Sequence, residues 1–495
     1  MKRILIMLTL LISVSPDTYA QNEADVRRYT ANYFSGTARF QAMGGAFGAL
    51  GGDMSSIHIN PAGVSVFRFG EISFTPAYEF NDINAQTDFS SRLASKSKLV
   101  VNNAGFVLAN EVNHPKWRSI NFSVSYNRIN TFNDLVQLTG QSAAIDGLAG
   151  DFLIRAQGRL AGELSDFGNG LAWDTFVIDN ENYDESGEFI DDGSYILGFA
   201  PEEEIRTNQT VERDGRLSET ALTIGANYND ELYLGFGLGF QDVFYQSVAE
   251  TREVTVADAQ RDLLSYTFTE RLESEGLGVN ARLGVIYRKE NIRLGASVKT
   301  PTVFAMTDNF TADISSRLRN SDGSIDNLSS ESDAGFFEYR IRTPWHFMAS
   351  VAGVIGKNAI ISAQYERVDF GGGELRNADS GADADFSGVN QAINQFYSAS
   401  DIFRVGAEYR LGKSFALRGG YSFFANPIDI NEESTNESLD RQEFNFGLGY
   451  RKAAWHVDLS YSKILFNEVY PYTDLNNALL ENDQNIVSLT IGIRM

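Results

Sequence analysis

The sequence predicts an all-β protein, a 14-stranded antiparallel transmembrane β-barrel with an N-terminal hatch inside its lumen. Three observations predict it. From residue 71 to the C-terminus apolar residues alternate with small or polar ones, the period of strands with one apolar face. Every second connection between these stretches is a tight turn, and the others are long. The chain also opens with a secretory leader, yet no later stretch reaches the roughly 18 consecutive apolar residues of a membrane helix.

Composition narrows the reading by exclusion. The 495 residues carry 65 Asp and Glu against 41 Lys and Arg, a net charge of −24 that argues against a nucleic-acid partner. With no cysteine there is no disulfide, thiolate metal site, catalytic thiol or lipid-modified cysteine. A mean hydropathy of −0.22 looks soluble, but only alternate residues of a barrel strand face lipid.

Lys2 and Arg3 precede the apolar run Ile4–Val14, Pro16 breaks it, and Thr18-Tyr19-Ala20 offers a cleavage site. Residues 1–20 are therefore expected to be a signal peptide. Residues 21–70 do not read as barrel. Ala42–Asp53 (AMGGAFGALGGD) carries five glycines, and His58-Ile59-Asn60-Pro61-Ala62-Gly63 follows. Glycine lets backbone pack closely, and Asn-Pro favours a turn start. No strand–helix unit or downstream ribose acid accompanies these glycines, so a compact lumen plug is expected rather than a dinucleotide loop.

The barrel is expected over 71–495. Its first seven strands fall at about 71–80, 99–110, 118–132, 217–229, 231–250, 264–288 and 292–315. The other seven fall at about 333–355, 359–375, 400–411, 415–426, 439–451, 455–468 and 484–495. Asn229-Asp230-Glu231, Lys289-Glu290-Asn291, Gly356-Lys357-Asn358, Gly412-Lys413-Ser414 and Lys452-Ala453-Ala454 form tight turns at one end. Tyr228, Tyr287, Tyr409, Tyr450 and Trp455 flank those turns, as an interfacial aromatic girdle would. The longest outer connection is expected at about 133–216, with helical spacing from Asp134 to about Leu164. Its acidic stretch Asp179–Gly193 (DNENYDESGEFIDDG) lacks the spacing of an EF-hand loop and reads as a solvated outer loop rather than a Ca²⁺ site.

Catalytic constellations are sparse. The four histidines are His58, His114, His346 and His456, none of them in an outer loop, and neither H-E-x-x-H nor G-x-S-x-G occurs. No enzyme activity, metal or cofactor is expected. Alternation turns Arg282, Arg293, Lys299, Arg404, Arg410 and Arg418 toward the lumen with Glu408 and Asp458. Arg293, Arg404 and Arg418 are candidate contacts for a ligand carboxylate, because Arg makes strong charge-assisted bonds. The plainer expectation is that each pairs with wall or hatch acids and fastens the plug. Pro301 and Pro344 lie on adjacent strands, and each removes a ladder hydrogen bond. They mark either two bulges near the outer interface or an alternative lateral opening.

The phrases GTARFQAMGGAFGALGGDMSSIHINPAG and EISFTPAYEF, with a leader before them and fourteen strands to the C-terminus, resemble the FadL/TodX-type outer-membrane transport proteins, in a Bacteroidetes-like form. Asn60, Pro61 and Ala62 match that family's hatch motif. The resemblance implies a protein of the cell outer membrane that takes up long-chain fatty acids or aromatic hydrocarbons passively, with hatch rearrangement and lateral release. Its implied partners are a hydrophobic small molecule, outer-membrane lipid and, during biogenesis, the barrel-assembly machinery. The family's lateral gap lies at an inward kink in the third strand, whereas Arg118–Phe132 here contains neither Gly nor Pro. The chain ends in Met495, where many barrels end in an aromatic residue. Two alternatives accompany this reading. One is a hemin-binding receptor, with His58 and Met54 as candidate axial ligands. The other is a surface-exposed adhesin-like barrel, which would need no apolar pocket beneath its loops.

Overall fold

The structure, a computed structural model, describes residues 23–495 apart from 32, 34, 258, 379–383 and 429–437. The expected signal peptide, residues 1–20, lies outside the described residues. Fourteen antiparallel staves close into a barrel. They are β1 Glu71–Gln86, β2 Ser91–Glu111, β3 Trp117–Thr131 continued by Asp134–Ala143, β4 Glu204–Tyr228 and β5 Leu232–Thr255. Next come β6 Leu263–Lys289, β7 Ile292–Lys299 with Val303–Arg319, β8 Gly335–Arg342 with His346–Ile355, and β9 Ala359–Asp369 with Glu374–Asn377. The last are β10 Ala399–Leu411, β11 Phe415–Phe424, β12 Arg441–Lys452, β13 Trp455–Pro471 and β14 Asn477–Arg494. β14 pairs back onto β1, from Glu71↔Arg494 to Gln86↔Leu479, which closes the ring.

Alternation explains which way each side chain points. On β14, Val487, Leu489, Ile491 and Ile493 face outward while Ser488 and Thr490 are buried against the lumen contents. An exterior paved with exposed Phe, Leu, Ile and Val suits lipid and would be untenable in water. No helix among the described residues is long and apolar enough to cross a membrane. The tight turns sit where the sequence places them, and Asn229, Asp230, Glu290, Gly356, Gly412 and Ala453 take the positive φ that such turns demand. Trp117 and Tyr228 meet edge to face at 5.1 Å, and Tyr450 meets Phe415 at 5.0 Å and Trp455 at 5.5 Å. These rings form the girdle at the tight-turn end.

Three expectations need correction. The strands at the opposite end are longer than alternation in the bilayer zone requires. β4, β5 and β6 contain 25, 24 and 27 residues, more than the roughly 9–11 that span a membrane, so they project beyond it. The β1–β2 connection shrinks accordingly to Thr87–Ser90. Second, Asp134–Ala143 is strand, not helix, because it pairs along β4 from Asp134↔Arg213 to Ala143↔Glu204. Helices start only afterwards, with α3 Leu148–Ala156 and α4 Asn169–Asp174, where Phe152, Leu171, Val177, Tyr195 and Phe199 share an apolar core, and this insert at the long-loop end is the outer cap. Third, the lack of Gly and Pro in the third strand does not keep it straight. β2 and β3 pair only from Glu111↔Ser119 to Asn103↔Asn127. A bulge between Arg128 and Asn130 then bends β3, and Val136 and Leu138 bury against Ile83, Ala85 and Leu480 on the inner wall.

Within the lumen run α1 Glu23–Thr30, α2 Ala38–Ala42 and the 3₁₀ turns Ser55–His58 and Pro61–Val66. α2 lies against β11–β14 and the Pro61–Val66 turn against β3–β6, so the segment bridges opposite walls. Almost every residue from Ala38 to Val64 is buried.

Candidate functional site

The site is the lumen, and the hatch divides it into layers. The middle layer is built around Asn60-Pro61-Ala62. Asn60 caps the Pro61–Val66 turn by accepting from Ala62 N at 3.1 Å, and donates to Gly48 O at 2.7 Å and Val285 O at 3.2 Å. It rests on a floor of three register-matched glycines, Gly225↔Gly235 and Gly235↔Gly284, on β4, β5 and β6. A Cβ on Gly284 would lie 1.9 Å from Asn60 Oδ1, and one on Gly235 2.2 Å from Ala62 N. The hatch backbone therefore lies directly on the wall backbone, which only glycine permits.

Below this, charged groups fasten hatch to wall. Arg39 of α2 bonds Glu408 at 2.9 Å, and Arg418 bonds Glu408 at 2.9 Å and Asp458 at 2.6 Å. Thr37 donates to Asp53 at 2.8 Å, and burial raises the Asp53 carboxyl while Arg39 pulls it back down. Arg293 donates to Leu50 O at 2.5 Å, and Arg404 bonds Glu366 at 2.7 Å. The structure thus brings Arg293 and Arg418 to the hatch, and Arg404 to the wall beside it, each already holding a protein acceptor.

His58 is enclosed between Glu219, 2.8 Å from Nδ1, and Ser125, 2.9 Å from Nε2. Burial holds the imidazole below its ordinary range, opposed by the bond to Glu219. The neutral ring then donates through Nδ1 and accepts the Ser125 hydroxyl at Nε2, leaving neither nitrogen open to iron. Arg282 completes the cluster on Glu219. Lys299 of β7 stands nearby and is buried, its ammonium without a hydrogen-bond or ion-pair partner among the described residues. Among those residues no three His, Asp or Glu side chains converge as a metal site would require.

The layer above is largely apolar, with Arg28 over the Tyr245 ring at 4.3 Å and Asp308 accepting from Tyr339 at 3.4 Å among its charged members. Val26 and Tyr29 of α1 occupy a chamber walled by Phe132, Tyr245, Phe304, Ile341, Phe370 and Phe424, with further aliphatic residues between them. Tyr29 meets Phe132 edge to face at 6.3 Å, and Phe132 meets Tyr245 at 5.3 Å. Next to the chamber lies a small, mostly polar cavity lined by Tyr33, Phe40 and Phe424 together with Glu79, Arg404 and Arg441, so the candidate contact Arg404 borders open space while bonded to Glu366. Sequence reading missed both the glycine floor and this chamber. The floor was foreshadowed by glycines inside strands, a signature of close backbone approach, whereas the chamber is assembled from eight separate staves.

A plugged barrel with an apolar chamber defines a class, and comparison with known proteins bears on it. No protein-family model matches the chain, and no curated protein does. Among solved structures, the fold is similar to that of a Pseudomonas aeruginosa FadL homologue, with a TM-score of 0.55 at 10% identity, covering 94% of this chain and 99% of that one. It is likewise similar to the Pseudomonas putida toluene transporter TodX, with a TM-score of 0.51 at 13% identity, covering 94% and 99%. The likeness covers most of the chain and establishes the fold.

Proposed function

We propose that this chain is an outer-membrane channel for passive uptake of hydrophobic small molecules, long-chain fatty acids or aromatic hydrocarbons. The observation that carries the proposal is the apolar chamber closed by α1. An apolar molecule gains roughly 25 cal/mol for each Å² it removes from water there. An adhesin-like barrel would have no use for such an interior. The ligand enters beneath the outer cap, replaces Val26 and Tyr29 in the chamber, and the hatch shifts. Release is lateral, above Asn103↔Asn127, where β3 leaves β2. The fold's likeness to a toluene transporter supports the substrate class. No energy source and no enzyme chemistry enter this scheme.

Proteoliposomes carrying the chain are expected to accumulate toluene and oleate faster than protein-free vesicles, and faster again when residues 23–31 are deleted. Equal rates in all three preparations would remove the proposal.

A further inference from the structure

The wall is interrupted at a second place, far from the β2–β3 gap. Between β7 and β8 the register stops at Lys299↔His346 and resumes at Val303↔Arg342, so the three residues around Pro301 and the three around Pro344 lie outside the ladder. This seam is re-closed by Thr343 N donating to Thr302 O at 3.0 Å and Thr302 N to Thr343 Oγ1 at 2.9 Å. The next seam is looser. Between β8 and β9 the register stops at His346↔Val368 and resumes at Arg342↔Glu374, which sets Thr343–Trp345 opposite the five residues 369–373. Those five include the run Gly371-Gly372-Gly373.

Beyond Asp369↔Ala399, β10 no longer pairs with β9. The helix α5 Ser387–Phe396 takes the strand's place, and a side chain substitutes for the ladder. Asn390 accepts from Leu375 N at 2.8 Å and donates to Leu375 O at 2.9 Å. Directly behind this panel lies the chamber. A Cβ on Gly373 would lie 2.2 Å from Val26 Cγ1, so a single thickness of backbone separates α1 from the outside. Phe370, Leu375 and Ile393 line its inner face, and the exposed Trp345 lies on its outer rim. Phe370 is eleven residues above the tight turn at Ala359. At a rise of roughly 3.3 Å and a tilt near 40° that is about 28 Å, just above the apolar belt, at the level of the exposed Arg367–Asp401 and Arg342–Glu374 pairs.

We propose that this triglycine–α5 panel is a side entrance, through which a hydrophobic molecule dissolved in the outer leaflet reaches the chamber without crossing the outer cap. The inference rests on the proposed channel function and adds a route to it. Glycines leave no side chain to obstruct passage, and two asparagines tether the helix that covers the opening, Asn390 on Leu375 and Asn394 on Gly371 O at 3.5 Å.

A disulfide tests it. The Cβ positions of Pro344 and Gly372 are 3.8 Å apart, the separation of a disulfide, and the chain has no other cysteine. The variant Pro344→Cys/Gly372→Cys is reconstituted in phosphatidylcholine vesicles, and toluene and oleate uptake is measured oxidised and reduced, beside the parent. At least a tenfold fall on oxidation, reversed by dithiothreitol, with oleate binding in detergent unchanged, is the expected result. Uptake unchanged by oxidation would overturn the side entrance while leaving the channel function standing. Loss of detergent binding along with uptake would also overturn it, since the bond would then act on the chamber itself. A parent that transports neither compound would overturn the underlying function.

Discussion

Gly235 shows how far one missing side chain can matter. Its position on β5 beneath Asn60-Pro61-Ala62 leaves no room for a methyl group. Gly235→Val is expected to cost about 1–3 kcal/mol through overpacking, borne mainly by hatch docking rather than by the barrel. The measurement is protease digestion of residues 23–67 in detergent, beside the heat-dependent gel shift of the folded barrel. The first should accelerate and the second persist. Glu219 stands at the other extreme, a carboxylate that satisfies Arg282 and His58 together in a fully buried cluster. Glu219→Gln leaves the Arg282 charge without its counter-ion, which typically costs about 3–5 kcal/mol, and denaturant unfolding should show it. At this scale the sequence was partly legible. Inward-facing arginines could be named from alternation, but their partners could not, because Arg39–Glu408 and Arg293–Leu50 join residues hundreds of positions apart. His58 illustrates the same limit, since its two partners lie on β3 and β4.

Elements were legible in proportion to how local their cause is. The tight turns and the bilayer-crossing halves of the strands follow from residues within a few positions of each other. The projecting halves of β3 and β4 do not, because Asp134–Ala143 becomes strand only by pairing with a segment about seventy residues later. The bend in β3 likewise comes from a bulge and from apolar burial, not from glycine or proline. α3 carries a testable pH response. Asp151 accepts from Asp474 N at 3.0 Å, tying the cap to the β13–β14 turn, and burial raises its carboxyl to about 7. The folded form therefore binds a proton that the unfolded form has released, so stability falls as pH rises from about 4 through 7. Hydrogen exchange of residues 148–156 should quicken between pH 5 and pH 8. In Asp151→Asn that acceleration, corrected for intrinsic exchange, should largely vanish, and an unchanged pH response would exclude Asp151 as its source.

For the molecule as a whole, the apparent contradiction between a soluble composition and a membrane fold dissolves in the layering. Lipid-facing apolar residues alternate with lumen polars, and the acidic outer segments dilute both. In the proposed channel, one short helix, α1, would decide whether the chamber is filled by protein or by ligand. Replacing Val26 and Tyr29 with alanine should therefore raise oleate affinity in detergent, read as a lower Kd by fluorescence displacement. The most direct measurement locks the helix in place. Val26 Cβ lies 3.6 Å from the Cβ position of Gly373, so Val26→Cys/Gly373→Cys can be oxidised to pin α1 to the wall. Toluene uptake by proteoliposomes should match the parent when the pair is reduced and fall at least tenfold when it is oxidised. Uptake at the parent rate with α1 pinned would contradict the account.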